Sequence, residues 1–411
     1  MGALGGAVDM NGVTYLVLAI FLVVISGYLI GAVSIKGVSL GTAGVFITSI
    51  LYGILYSKGL SSHLVVEGID VSANALKLVE NIGLCLFVAS VGLIAGPSFF
   101  SNLKKNFRSY ILLGIIIILS GGLVTVLCFF LGRGAEADSE EFVAILVGLL
   151  SGALTSTPAF SASKATVAEQ YADAVTVGHS IAYLFGVIGV VLFVQLVPRL
   201  VHADMGEEVK KITDASAAGR KVDDSRYLHF DPYGITAFGL VIVIGILIGM
   251  FKIPLSSKGL SGTTFSLTTT GGVLIAGLLL GHFGHLGPVS MKVDGSILKA
   301  FQEFGLILFL FGAGVAGGAK FLHYFRPVYF LYGIIMTLMP MIIGYFAAVK
   351  LVKLDLLNAL GCITGGMTST PALGTLIKVA GTESVASAYA ATYPIALITV
   401  VLMSQFLVLL L

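Results

Sequence analysis

Charge is scarce in this chain. Only 11% of its 411 residues are Asp, Glu, Lys or Arg, against about 25% in an ordinary soluble domain, so a water-soluble globule is excluded. The 23 basic and 21 acidic residues nearly cancel, leaving a net charge of +2. That offers a nucleic acid nothing to bind, and no such partner is expected. Cysteine is rare too. Cys85, Cys128 and Cys362 stand alone in apolar stretches without metal-ligand spacing, so they read as small buried side chains. Asp and Glu are missing from the middle of the apolar stretches. A cation or proton antiporter needs an ionisable group at that depth, and the absence shifts the expected cargo towards an anion. No basic segment precedes the first apolar run, whose nearest charge is Asp9. That argues for a first span rather than a cleaved leader.

What is present is apolar: 57% of the residues are hydrophobic. Runs near the roughly 20 residues that cross a bilayer as helix occupy 13–33, 110–132, 173–197, 235–251 and 329–349. The expected class is an all-α integral membrane protein with the lipid bilayer as its solvent. Its 52 glycines include Gly-xxx-Gly spacings such as Gly148/Gly152 and Gly361/Gly365, which let membrane helices approach closely.

The chain also repeats itself. Gly152-Ala-Leu-Thr-Ser-Thr-Pro-Ala-Phe160 and Gly365-Gly-Met-Thr-Ser-Thr-Pro-Ala-Leu373 agree at six of nine positions. Gly44–Gly53 resembles Gly272–Gly281, Ile82–Phe87 resembles Phe304–Phe309, and Val190–Gln195 resembles Val400–Gln405, all in the same order. The reading is a first repeat over 1–198, a linker over 199–232 and a second repeat over 233–411. Each repeat holds six apolar segments, near 13–33, 38–57, 81–97, 109–132, 140–170 and 173–198, then 234–251, 268–283, 302–319, 327–350, 356–379 and 384–411.

Charge sets the topology, because Lys and Arg collect on the cytoplasmic side. Lys104, Lys105 and Arg108 place the loop after the third segment inside, and the six basic residues of the linker place it inside as well. The acidic loop with Glu136, Asp138, Glu140 and Glu141 suits the outside. Only one full crossing then separates Glu141 from Arg199, although two apolar segments lie between them. The Thr-Ser-Thr-Pro segment must therefore turn back. Its arms of 13 to 14 residues reach about 20 Å at 1.5 Å per residue, past mid-membrane but short of spanning. The expected fold is two inverted repeats, each with five transmembrane helices and one re-entrant helical hairpin, near 140–171 and 356–380. The N-terminus is expected outside and the linker in the cytoplasm.

Thr and Pro are favoured where helices start, so Thr157-Pro158 and Thr370-Pro371 are expected to open the second arm of each hairpin. Free N–H groups and the positive dipole end there attract an anion. The expected substrate site comprises Thr155, Ser156, Thr157, Pro158 and Ala159 with Thr368, Ser369, Thr370, Pro371 and Ala372. The same hydroxyls suit Na+, which leaves a coupling-ion position near Thr155 and Thr368 open. No other cofactor is expected.

These paired hairpins, with Gly272-Val-Leu-Ile-Ala-Gly-Leu278 and Phe304-Gly-Leu-Ile-Leu-Phe309, resemble the aspartate:alanine exchanger family, bacterial secondary carriers with a duplicated membrane domain. The likeness covers essentially the whole chain. It implies exchange of amino-acid or dicarboxylic anions by a homodimer in a bacterial inner membrane. Many members carry two soluble regulatory domains between the halves, where this chain has only a short linker.

Near the tips, His179, Tyr183, Tyr389 and Tyr393 read first as packing or interfacial residues and second as substrate or ion contacts. Lys164 reads first as a snorkelling side chain and second as a partner for a carboxylate. Gly312-Ala-Gly314-Val-Ala-Gly317 matches a dinucleotide fingerprint without the strand that fingerprint requires. Gly259-Leu-Ser261-Gly262 lacks a histidine to activate its serine, so no enzyme is expected. The rival reading is an inverted-repeat cation/proton antiporter, with a passive channel third.

Overall fold

The computed structural model describes residues 11–32, 34–35, 38–39, 43–134, 138–214, 226–254, 259, 264–324 and 326–411. The protein is an all-α membrane protein, interrupted among the described residues by four two-stranded antiparallel ribbons. The first half runs α1 (Gly12–Gly31), β1–β2 (Ser34–Ile35 with Val38–Ser39), α2 (Ala43–His63), β3–β4 (Val65–Val66 with Ile69–Asp70) and α3 (Ser72–Gly132). It continues through α4 (Ser139–Ala153), α5 (Thr157–Thr166) and α6 (Ala172–Leu200). After the linker helix α7 (Met205–Asp214) the order recurs as α8 (Ile235–Met250), β5–β6 (Ile253–Pro254 with Thr264–Phe265), α9 (Thr268–Phe283) and β7–β8 (His285–Leu286 with Val289–Ser290). Then come α10 (Gly295–Tyr324), α11 (Pro327–Phe346), α12 (Leu356–Gly366), α13 (Thr370–Ala380) and α14 (Ala386–Leu410).

Among the described residues, seven helical stretches are long and apolar enough to cross a membrane, and two of them, Ser72–Pro97 and Phe107–Gly132, lie on α3. From the sequence, a loop separates the third and fourth segments. The structure instead keeps the backbone helical throughout α3, 61 residues long. Pro97 removes a single N–H, and no Gly or Pro follows it before Gly114, so nothing in 98–113 ends the helix. By contrast α8 and α9 have 16 residues each, about 24 Å of helix against a hydrocarbon core of about 30 Å.

The described chain forms two compact units, each drawing on both halves: 1–87 with 303–324, and 88–302 with 325–411. The first packs α1 and α2 around Leu16, Val23, Leu60, Leu76, Phe311 and Val315. A Cβ on Gly27 there would lie 2.5 Å from Val45 Cα. In the second unit a Cβ on Gly245 would lie 2.4 Å from Val273 Cα. The α8–α9 pair thus repeats the α1–α2 approach with matching residues, so the sequence repeat is a repeat of backbone contact. A smaller core in the second unit gathers Tyr110, Leu113, Ala359, Cys362 and Ala388. Buried Cys128 and Cys362 pack as small apolar side chains.

The linker is partly built. α7 carries Glu208, whose carboxylate accepts the Leu356 N–H at 3.1 Å, tying α7 to the start of α12. Arg220 and Lys221 lie outside the described residues, as does Ser261. Asp231 closes the linker by accepting N–H bonds from Thr236 and Ile235 at 2.8 Å and from Tyr233 at 3.1 Å. Those donors, the Thr236 N–H foremost, hold its carboxyl below the usual carboxylate range.

Candidate functional site: two crossed hairpin tips

The arms of each hairpin meet in one residue pattern. In the first, Leu154-Thr155-Ser156 joins α4 to α5. In the second, Met367-Thr368-Ser369 joins α12 to α13. Thr155 N–H donates to Gly152 O at 2.9 Å and Ser156 N–H to Ser151 O at 2.8 Å; Thr368 N–H donates to Gly365 O at 3.1 Å and Ser369 N–H to Thr364 O at 3.0 Å. Both are Schellman ends, whose turning residue sits in the left-handed region and is usually Gly. Here it is Thr, with φ of 50° at Thr155 and 49° at Thr368. A β-branched residue there is an outlier, strained by about 1–3 kcal/mol. It occurs at both tips.

Ser156 and Ser369, in extended conformation, are the N-caps of the second arms. They stand one residue earlier than the Thr-Pro pairs suggest. The reason is that Thr157 and Thr370 already belong to the helices, which leaves the extended serine as the last residue outside. Pro158 and Pro371 sit in the first turn, where a missing N–H does no harm.

The tips touch. Thr368 Oγ1 donates to Leu154 O at 2.6 Å, and Thr155 Oγ1 lies 3.3 Å from both Met367 O and Thr368 O. Leu154 and Met367 are the C-cap residues of α4 and α12. Each threonine hydroxyl therefore serves a carbonyl that the opposite tip's helix end leaves free. Ser156, Ala159, Thr368, Ser369, Thr370, Pro371 and Ala372 are buried, while Thr155 and Pro158 are half-buried. For Thr157 only the backbone is among what is described.

Small residues bring the long helices up to the tips. A Cβ on Gly152 would lie 2.4 Å from His179 O, and one on Gly365 would lie 2.7 Å from Tyr389 O. His179 on α6 and Tyr389 on α14 thus hold equivalent places beside the two breaks. The second arms are exchanged: α5 packs on α14 and α13 on α6. His179 Nδ1 is 2.8 Å from Ser151 Oγ, and its ring lies 4.6 Å from Phe160 and 5.4 Å from Tyr183. Tyr389 OH is 3.4 Å from Thr370 Oγ1, and its ring stacks on Tyr393 at 5.3 Å. Lys164 is not brought to the crossing: its Nζ stands 5.5 Å over the Phe160 ring. At the exposed start of α4, Asp138 caps the helix through the N–H groups of Glu140 and Glu141 and accepts the Tyr171 hydroxyl at 2.8 Å. It buckles the base of the first hairpin. The sequence did not single out Ser151 or Phe160, although Ser151 adjoins the Gly148-xxx-Gly152 face. Among the described residues no group of three or more His, Cys, Asp or Glu could hold a metal ion.

Long apolar helices enclosing two polar helix breaks define an integral membrane permease. The chain belongs to the Asp-Al_Ex family, described as "Predicted Permease Membrane Region", whose pattern matches residues 19–199 and 237–409. It is similar to an "Uncharacterized transporter" of Bacteroides fragilis, 25% identical over 94% of this chain and 97% of the relative. Another, from Desulfotalea psychrophila, is 24% identical over 97% of each, and a third, from Geobacter sulfurreducens, is 24% identical over 95% and 97%. The alignments run over 544 to 560 positions against 411 residues here, so these relatives are substantially longer. The family match itself pauses between 199 and 237, where this chain has only α7 and its flanks.

Proposed function

We propose that this permease is a secondary active transporter of small carboxylates, of the aspartate, alanine or dicarboxylate kind, which binds its substrate between the two Thr-Ser-Thr-Pro tips and works as an exchanger. The observation that carries this reading is the reciprocal contact of Thr155 and Thr368, which brings two helix N-termini and their hydroxyls to one place. An anion is attracted to such ends by free N–H groups and by the dipole, and irregular backbone at membrane depth is tolerated only where it is buried or lines a cavity. The repeats are inverted, with the hairpins entering from opposite sides of a bacterial inner membrane and α7 in the cytoplasm. Inverted-repeat carriers with broken helices at the repeat interface alternate access by moving one bundle against another. In this protein the hairpin-bearing bundle would move in an elevator-like way against the rest, within a homodimer. Na+ near Thr155 and Thr368 is the candidate coupling ion, since hydroxyl and carbonyl oxygens suit it.

A second reading, a cation/proton antiporter, is favoured by His179, an ionisable group hydrogen-bonded to Ser151 beside the first break; such groups often carry coupled protons. Both readings are tested in proteoliposomes loaded with L-aspartate, L-alanine or succinate, by uptake of the labelled compound with and without Na+ or a pH gradient. Thr155→Ala and Thr368→Ala should each slow exchange about tenfold or more. Exchange at wild-type rate and affinity in both variants would place the substrate elsewhere. Transport of Na+ or H+ without any carboxylate would favour the antiporter.

A further inference from the structure

We propose, on the basis of the carboxylate reading above, that the two tips do unequal work: the start of α13 receives the carboxylate, and the start of α5 closes over it. The tips share sequence and backbone, so they should be capped alike. They are not. Ser156 Oγ accepts the Ala159 N–H at 3.3 Å, so the first tip caps its own helix. Ser369 occupies the same place on α13 and makes no such bond. Its hydroxyl is fully buried and has no hydrogen-bond partner.

An unmade hydrogen bond in the interior is expensive, about 1–3 kcal/mol for the group left alone, and it persists where something else supplies the partner. Among the described residues three other buried serine hydroxyls lack a partner: Ser163 and Ser404 lie within helices, and Ser387 lies in the first turn of α14. Ser369 alone among these is the N-cap of its helix, at a hairpin tip and at the positive end of 11 helical residues. Next to it the Thr370 hydroxyl faces Tyr389 OH at 3.4 Å, and both residues are buried. The α13 start therefore gathers three hydroxyls and an uncapped helix end in a place closed to solvent. A carboxylate is the ligand that takes several O–H and N–H donors together with a positive dipole. At the α5 start the capping bond is already made, and the equivalent of Tyr389 is His179, whose Nδ1 is engaged by Ser151.

The test compares Ser369→Ala, Ser369→Thr, Ser156→Ala and, as a control away from the tips, Ser404→Ala. Purified protein is titrated separately with acetate, L-alanine, L-aspartate and succinate, and affinity is read from thermal stabilisation. Ser369→Ala should weaken binding of the stabilising carboxylate about tenfold or more without lowering the melting temperature of the free protein. Ser369→Thr, which keeps the hydroxyl, should recover most of the affinity. Ser156→Ala should lower the free protein's melting temperature, because it removes a cap, and weaken binding several-fold less than Ser369→Ala. Ser404→Ala should bind as wild type. Equal losses in Ser156→Ala and Ser369→Ala, or a larger loss in Ser156→Ala, would overturn the inequality of the tips while leaving the transport reading in place. If none of the four carboxylates stabilises wild-type protein, the carboxylate reading falls and takes this inference with it.

Discussion

Replacing Thr368 with alanine and with glycine separates two things its side chain does. The hydroxyl donates to Leu154 O at 2.6 Å, and the Cβ is held at a φ of 49°. Alanine removes the hydrogen bond and keeps a Cβ in the left-handed region. The loss is about 1 kcal/mol for the bond, rising towards about 3 kcal/mol if Leu154 O is left without a donor in apolar surroundings. Glycine loses the same bond and also releases the strain, worth about 1–2 kcal/mol for an L-residue in this conformation. Thr368→Gly should therefore be about 1 kcal/mol more stable than Thr368→Ala. Within a helix the order is the reverse, since glycine there is worse than alanine by up to about 1 kcal/mol. The measurement is SDS titration of the purified protein followed by circular dichroism. The chain has no tryptophan, so in a variant lacking Cys85 and Cys128 the reaction of a thiol dye with Cys362, wholly buried in α12 until the protein unfolds, gives the independent probe. If glycine is no better than alanine, the strain argument fails, and if alanine is neutral, the cross-tip bond contributes nothing.

Gly365→Ala places a Cβ 2.7 Å from Tyr389 O, whereas a Cβ on Gly317 meets nothing within 4 Å. The first should destabilise by about 1–3 kcal/mol and slow transport, and the second should be neutral or stabilising, both read by SDS unfolding. Asp231 gives a pH dependence with a definite sign. Its carboxyl is held below the usual range in the folded protein, so its contribution is fully present above the unfolded value of about pH 4 and is lost as the pH falls further. Melting temperatures between about pH 3 and 6 should show that loss in wild type and a weaker one in Asp231→Asn. Asp138, held low by the Glu141 N–H and then the Tyr171 hydroxyl, should behave in the same direction. The topology is tested in a variant lacking Cys85, Cys128 and Cys362. Ala168→Cys and Lys378→Cys, both at exposed positions near the hairpin bases, should react with an impermeant thiol reagent from opposite faces, and labelling from one face would contradict inverted repeats.

Much of this architecture could be read from local signals. Apolar lengths marked the helices, and the proline of each Thr-Ser-Thr-Pro marked a helix start because its missing N–H fits only the first turn. Arms expected at 13 to 14 residues are observed as separate short helices of 15 and 10 residues in the first hairpin and 11 each in the second. The continuous helix through Pro97 was not legible, because a basic stretch suggests a loop even where no residue in it breaks a helix. The left-handed threonines were hidden for a sharper reason. Local preference assigns that conformation to glycine, and what holds Thr155 and Thr368 there includes carbonyls 212 to 214 residues away. The Ser151–His179 bond is hidden likewise, since neither residue announces the other until α4 and α6 close through Gly152.

That distance has a consequence for how the protein is made. When the first hairpin leaves the ribosome, the Met367 and Thr368 carbonyls that Thr155 needs do not yet exist, and Leu154 O waits equally long for the Thr368 hydroxyl. Until residues 367 and 368 are made, the first half lacks the contacts that hold its turn in the strained form. The last quarter of the chain is what completes the first half. A chain truncated before α12 would stay unfinished, open to a membrane protease, and two separately expressed halves would mature only where each meets the other.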